Sequence, residues 1–154
     1  MQTPAAIAAE LASVGVQGGV RGLRLGSPSP DRGPVPWSRQ GLGAELWWSP
    51  EQTWPAVRGL WRINPKGITV IVALRLGYVL GVYRVVGWAT DPTTGRSYAT
   101  EGVIIGADGR LRDPGSGTDV GPVSDEDAAI RGVLAKAPIS LPPHRQPVVK
   151  LSHR

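Results

Sequence analysis

The stretch that decides the fold is Gly67-Ile-Thr-Val-Ile-Val-Ala-Leu-Arg-Leu-Gly77, followed by Tyr78-Val-Leu-Gly-Val-Tyr-Arg-Val-Val-Gly-Trp88. Residues 68–74 form a continuous apolar run rich in β-branched side chains, which predicts a strand buried on both faces. Residues 79–88 come closer than residues 68–74 to the strand alternation of side chains between two faces, and Gly81 indicates a bulge or a close backbone approach. Together they predict a β-hairpin at the centre of the fold.

Further elements are predicted on both sides of this hairpin. Ser49-Pro-Glu-Gln52 is a helix start, with a hydroxyl cap, a proline at the first helical position and an acid near the positive end of the dipole. A third strand is expected at residues 96–105, after a turn at 91–95. The remaining predicted elements are helices at residues 3–12 and 124–136 and an edge strand at 147–151.

Length and composition predict one α+β domain that is mainly β. The chain has 154 residues, a hydrophobic fraction of 41%, 21 glycines and 15 prolines, a composition that favours short strands and turns over a helical bundle. Residues 1–40 are expected to form an N-terminal arm with a Pro/Gly-rich linker, and residues 41–137 the folded domain. Residues 138–154 form a Pro-rich basic segment.

The net charge of +5 favours anionic partners. Much of the positive charge lies outside the predicted domain, at Arg21, Arg24, Arg32, Arg39, His144, Arg145, Lys150, His153 and Arg154. No apolar run reaches the roughly 18 residues of a membrane span, and no export signal is visible at the N-terminus. A cytoplasmic protein without membrane association is therefore expected.

Few residues suit catalysis. The absence of cysteine excludes disulfides, thiolate metal sites and cysteine nucleophiles. Both histidines lie in the Pro-rich C-terminal segment, where nothing nearby orients an imidazole, and Glu101 lacks the lysine two residues on that a nuclease strand would carry. Most other acids fall in turns or at a helix start. The sequence predicts no catalytic residue, no metal and no cofactor.

Aromatic and arginine residues form the better candidate site. The aromatic residues within about fifty positions are Trp47, Trp48, Trp54, Trp61, Tyr78, Tyr83, Trp88 and Tyr98. One interpretation is a core that uses Trp where other proteins use Phe. The other is a surface that stacks nucleobases, with arginines beside the rings. On a regular strand Tyr83 and Trp88 point to opposite faces, which leaves one of them available to a ligand.

The candidate nucleic-acid-binding residues follow from the second interpretation. Arginines are expected to hold phosphates or base edges, and the rings to shape or line a pocket. Glu101 either accepts hydrogen bonds from an exocyclic amine or pairs with an arginine. The full set is Arg58, Trp61, Arg62, Tyr83, Trp88, Arg96, Tyr98 and Glu101.

Three motifs carry a family resemblance. Arg58-Gly-x-Trp61, the hairpin that ends in Trp88, and Arg96-x-Tyr-x-x-Glu-Gly102 resemble an accessory domain of bacterial restriction-type proteins, which can follow a GIY-YIG nuclease domain. The resemblance covers about a third of the chain and departs from the family at Thr100, where an aromatic residue is usual. No nuclease domain is present in the sequence, so the cutting activity is not implied.

A looser resemblance concerns residues 77–93, which are similar to the central hairpin of PUA-like domains of the EVE and ASCH type. It implies a small twisted barrel or half-barrel with two or three short helices, and a pocket for a modified or flipped base. The expected function is therefore non-enzymatic binding of DNA or RNA in a defence or phage-related setting. The alternatives are a structural subunit that docks on a partner protein through its Pro-rich arms, and a small metal-dependent nuclease.

Overall fold

A computed structural model of the protein describes residues 1–30, 35–39, 41–142 and 146–154. It consists of helices and one large sheet. Arg32, His144 and Arg145 lie outside the described residues. Within those ranges the chain forms three helices and seven strands. In order they are α1 (Pro4–Ser13), β1 (Gly19–Arg24), α2 (Pro50–Val57), β2 (Ile68–Arg75), β3 (Tyr78–Thr90), β4 (Ser97–Ile105), β5 (Arg110–Arg112), β6 (Asp119–Pro122), α3 (Asp125–Leu134) and β7 (Val148–Lys150).

Each helix begins at a hydroxyl cap, as the sequence predicts. Thr3 accepts a hydrogen bond from the Ala6 amide at 3.1 Å, and Ser124 accepts one from Asp127 at 3.2 Å. At α2, Ser49 and Gln52 form a reciprocal capping box. These side chains satisfy amides that have no carbonyl partner within the first turn, so the three helix starts are confirmed.

The strands lie in one sheet in the order β6-β5-β4-β3-β2-β1-β7. β1 runs parallel to β2, and every other neighbouring pair is antiparallel. β1 therefore lies inside the sheet, where Val20 and Leu23 are fully buried. The sheet thus contains residues from both sides of the boundary expected near residue 41, and residues 1–40 are not merely an arm.

The predicted α+β class, mainly β, is confirmed, but the sheet is open and does not close into a barrel. β6 and β7 lie at its opposite ends. The sheet stays open because β5 and β6 are short, with three and four residues. β5 pairs with β4 at Ile104 and Ile105 alone, so these strands do not extend the sheet round to β7.

Both faces of the central sheet are covered. Val70, Val72 and Leu74 of β2 pack in one apolar cluster with residues of α1 and α3. Ile71 and Ala73 point the other way, into a cluster with Trp54 and Val57 of α2. The prediction of a strand buried on both faces is confirmed, because apolar side chains at successive positions of a strand need a partner on each side.

Irregular pairing bends β3. Its register with β2 shifts beside Gly81, where a bulge was predicted. Its register with β4 shifts twice more, around Gly87. Bulges increase the local twist and bend the strand that carries them. Beyond these bulges, Trp88 packs with the α2 cluster, and its indole N–H donates to the Ile68 carbonyl at 3.1 Å.

An ion pair fastens α3 to the sheet. The Arg84 guanidinium of β3 contacts both carboxylate oxygens of Asp127, with Nε to Oδ2 at 2.7 Å. Asp127 is only 1% exposed and Arg84 is 29% exposed. The hydrogen bond to Asp127 raises the pKa of Arg84. A carboxylate this buried depends on its partner for stabilisation.

We expect Asp127→Ala to lower the free energy of unfolding by about 2–4 kcal/mol, because it leaves Arg84 half-buried without its counter-ion. Urea denaturation followed by circular dichroism measures the change. Asp119→Ala is the matched control, since it removes a similar pair with Arg110 at an exposed site and should change little. Equal losses in the two variants would contradict the structural role of Asp127.

Candidate functional site

A groove of about 500 Å³ lies between the segment Leu60–Arg62 and the residues at the start of β7. We call it the seam groove, and its lining residues are Leu60, Trp61, Arg62, Arg96, Gln146, Pro147 and Val148. Leu60–Arg62 lies beside β4, whereas Val148 belongs to β7, and three strands separate β4 from β7 in the sheet. Trp61 and Val148 both pack with the α2 cluster, so the groove lies on the α2 face of the sheet.

Backbone hydrogen bonds hold one wall of the seam groove. Trp61 and Ser97 exchange amide-to-carbonyl bonds, both at 2.9 Å, and the Ala99 amide donates to the Arg58 carbonyl at 2.7 Å. Gly59, between them, has φ of +156°, and a Cβ there would lie 2.4 Å from Tyr98 Cβ. A residue without a side chain is required for this segment to lie flat against β4.

Two arginines of the seam groove are available to a ligand. The side chains of Arg62 and Arg96 are exposed, and neither guanidinium makes a hydrogen bond or ion pair within the described part of the chain. Trp61 lies half-buried between them and the core, and its indole N–H donates to the Val57 carbonyl at 2.6 Å. The ring is therefore fixed, while the two cations remain free to bind an anion.

Arg58 and Glu101 belong to a different groove. This second groove, of about 430 Å³, also contains Trp37, Glu51 and Asp113. Arg58 donates to the carbonyls of Ala99 and Thr100 at 3.0 and 2.7 Å, and burial lowers its pKa. Its guanidinium carbon lies 4.6 Å from the Trp37 ring centroid. Arg58 is thus used within the protein, and the three carboxylates make this groove unfavourable for phosphate.

Tyr83 lies in the core and not at a ligand pocket. It is 0% exposed, its hydroxyl donates to the Pro50 carbonyl at 2.7 Å, and its ring centroid lies 5.1 Å from that of Trp54. Burial raises its pKa. The alternation along β3 turns Tyr83 toward α2, which covers that face.

The other two predicted rings take structural positions. Trp88 packs half-buried in the α2 cluster. The Tyr98 ring lies 5.3 Å from the Trp37 ring, beside the second groove. The structure therefore brings together only Trp61, Arg62 and Arg96 out of the eight candidate residues, and it distributes the rest between the second groove and the core.

Sequence reasoning missed two parts of these grooves. Trp37 was assigned to the linker, yet its indole N–H donates to the Pro55 carbonyl at 2.8 Å. A tryptophan within a Pro-rich segment was the available signal, since a ring of that size gains much from burial. Gln146–Val148 lines the same groove as Trp61 although three strands separate β7 from β4, an arrangement that no local pattern reveals.

Charge is distributed unevenly over the sheet. Residues 101–122, from β4 to the end of β6, contain four of the twelve acids but two of the seventeen Lys and Arg residues. At the opposite end, Arg21 and Arg24 lie on β1 and Lys150 on β7. Arg110 and Arg112 at the acidic end are paired with Asp119 and Asp108. The seam groove lies beside β7, on the basic side.

Two further observations bear on other functions. Among the described residues, no group of three or more His, Cys, Asp or Glu side chains is placed to hold a metal ion. Across the same residues, no helix has the length and apolar character needed to cross a membrane.

Comparison with protein-family models finds no match, and comparisons with curated proteins and with solved structures find no significant similarity.

We expect Tyr83→Phe to destabilise the fold by about 1–2 kcal/mol, because it leaves the Pro50 carbonyl without its buried donor. Thermal and urea unfolding measure the loss. Tyr78→Phe makes the same chemical change at a 53% exposed ring and should have no effect. If Tyr83→Phe were as stable as the wild type, the hydroxyl would have no structural role.

Proposed function

We propose that this chain is a non-enzymatic nucleic-acid-binding domain and that the seam groove is its contact site. The observation that carries the proposal is the pairing of two unengaged arginines, Arg62 and Arg96, with the fixed ring of Trp61. Guanidinium groups match phosphate oxygens in a two-pronged geometry, and an indole ring stacks any base. Among the described residues, no acidic side chain lines the groove.

Long-range charge supports the same site. Basic residues lie on β1 and on β7, whose Val148 lines the seam groove, while Asp108, Asp113 and Asp119 lie in and between β5 and β6 or in the turn before β5. A polyanion is therefore attracted to the β7 end and repelled from the β6 end. The second groove is the weaker candidate, because Glu51, Glu101 and Asp113 oppose phosphate and Arg58 is already bonded.

The finer part of the proposal is that the groove receives one unstacked base, including a modified one. A volume of about 500 Å³ lies within the range of small-ligand pockets. Stacking on one ring contributes roughly 1–3 kcal/mol, enough to offset much of the cost of flipping a base. The resemblances to PUA-like domains and to restriction-associated domains belong to this proposal, since both imply nucleic acid in a defence or phage-related setting.

We expect Arg62→Gln and Arg96→Gln each to weaken binding of labelled single-stranded DNA or RNA of about 20 nucleotides by roughly tenfold at low salt. The double variant should also reduce the slope of log affinity against log salt by about 2, since each arginine that contacts a phosphate contributes about one unit. Fluorescence anisotropy over a salt series measures both quantities.

Arg110→Gln is the control for that experiment. It removes the same charge from the acidic end of the sheet and should leave affinity nearly unchanged. Wild-type affinity that does not depend on salt, or equal losses in all three single variants, would overturn the proposal. The first of these outcomes would favour the protein-interaction alternative.

A further inference from the structure

A separate pocket lies on the opposite face of the sheet, between β3 and α3. We call it the α3 pocket. It has a volume of about 380 Å³, and its principal lining residues are Tyr78, Val79, Val82, Arg131, Leu134 and Lys136. Val82 and Leu134 belong to the cluster of α1 and α3, whereas Trp61 and Val148 of the seam groove pack with the α2 cluster. The two sites are therefore independent.

Arg131 is the unusual residue of the α3 pocket. Its Nη1 atom is buried and has no hydrogen-bond partner, and its guanidinium forms no ion pair within the described part of the chain. Burial lowers the pKa of Arg131. Asp127 precedes it by one helical turn, a spacing that suits an ion pair, but both Asp127 oxygens are bonded to Arg84.

An unpaired, half-buried cation is unfavourable in a folded protein unless something else satisfies it. Arg131 lines the α3 pocket, and no carboxylate among the described residues forms an ion pair with it. An anionic ligand in the pocket would supply an acceptor for the guanidinium. This arrangement is therefore typical of a binding residue rather than of a residue that stabilises the helix.

The charges around the pocket select a monoanion. Lys136 at the rim forms an ion pair with Glu10, with Nζ to Oε1 at 2.7 Å. Those two charges balance, which leaves the single positive charge of Arg131 for a ligand. A carboxylate carries one negative charge and two coplanar oxygens that a planar guanidinium can contact together. A phosphate dianion would bring a second negative charge that Arg131 alone does not balance.

The walls of the pocket select an apolar ligand body. Val79, Val82 and Leu134 are aliphatic, and Pro138 closes one side. The Tyr78 ring at this pocket is 53% exposed, so it is available to pack against another flat group. An apolar cavity with one convergent charged group is the common form of a small-molecule site.

We propose that the α3 pocket binds a small monocarboxylate with an aromatic or bulky apolar body, with the carboxylate on Arg131 and the body against Tyr78 and the aliphatic wall. This inference does not depend on the seam groove or on nucleic-acid binding.

Sodium naphthoate is the probe, and neutral naphthamide is its matched control. Isothermal titration calorimetry on the full chain, at constant ionic strength, should show one naphthoate site per chain and at least tenfold weaker binding of the amide. Acetate, which lacks the apolar body, and inorganic phosphate should each bind at least tenfold more weakly than naphthoate. Arg131→Met should weaken naphthoate binding at least tenfold and leave the amide unchanged.

Two variants and one stability measurement guard against a trivial loss of fold. Arg110→Gln removes a charge away from the pocket and should bind naphthoate like the wild type. Arg131→Lys keeps the charge but loses the planar fork, and we expect an intermediate affinity. Without ligand, Arg131→Met should unfold at the wild-type temperature or higher, since an unsatisfied charge is removed.

Four results would overturn the proposal. They are no naphthoate binding by the wild type, equal affinity for the acid and the amide, unchanged naphthoate affinity in Arg131→Met, and a clear fall in the unfolding temperature of that variant without ligand. The last result would assign Arg131 a structural role. Because nucleic-acid binding is measured with other variants, either proposal can fail while the other stands.

Discussion

Side chains of β2 alternate between two apolar clusters, with Val72 directed to α1 and α3 and Ile71 directed to α2. Both layers of helices depend on this strand, because each packs against a face that β2 fills with aliphatic groups. Burial of such side chains contributes about 1.5–3 kcal/mol each. A sheet enclosed on both faces in this way has little polar surface at its centre, so binding residues lie at its margins or between the sheet and a helix.

Backbone geometry positions the residues of the seam groove. Gly59 lets the neighbouring segment lie flat on β4. Arg62 and Arg96 lie opposite β7 because backbone bonds between Trp61 and Ser97 fix their two segments side by side. Arg58 supports the same wall from inside, through the carbonyls of Ala99 and Thr100.

Local signals were enough to predict much of the fold. The helix caps at Ser49 and Ser124 and the central strand at residues 68–74 follow from short-range rules, because their causes lie within a few residues.

Tyr83 was misjudged since alternation tells which residues share a face but not which face α2 covers. The parallel pairing of β1 with β2 was not foreseen, because more than forty residues separate the two strands and only tertiary packing joins them. The sequence does not single out Arg131, because Asp127, one helical turn before it, is a plausible partner. Only the structure shows that Asp127 pairs with Arg84 instead.

The acids of β4–β6 and their turns at one end of the sheet and the basic residues of β1 and β7 at the other make the two ends differ in charge. In the field of any extended polyanion such a molecule experiences a torque, which rotates it until the β7 extremity leads. The orientation of the protein is then biased before contact, so a larger share of collisions begins with the β7 end facing the polyanion. Dissolved ions shield this torque beyond about 8–10 Å, so the molecule is oriented most strongly in dilute buffer.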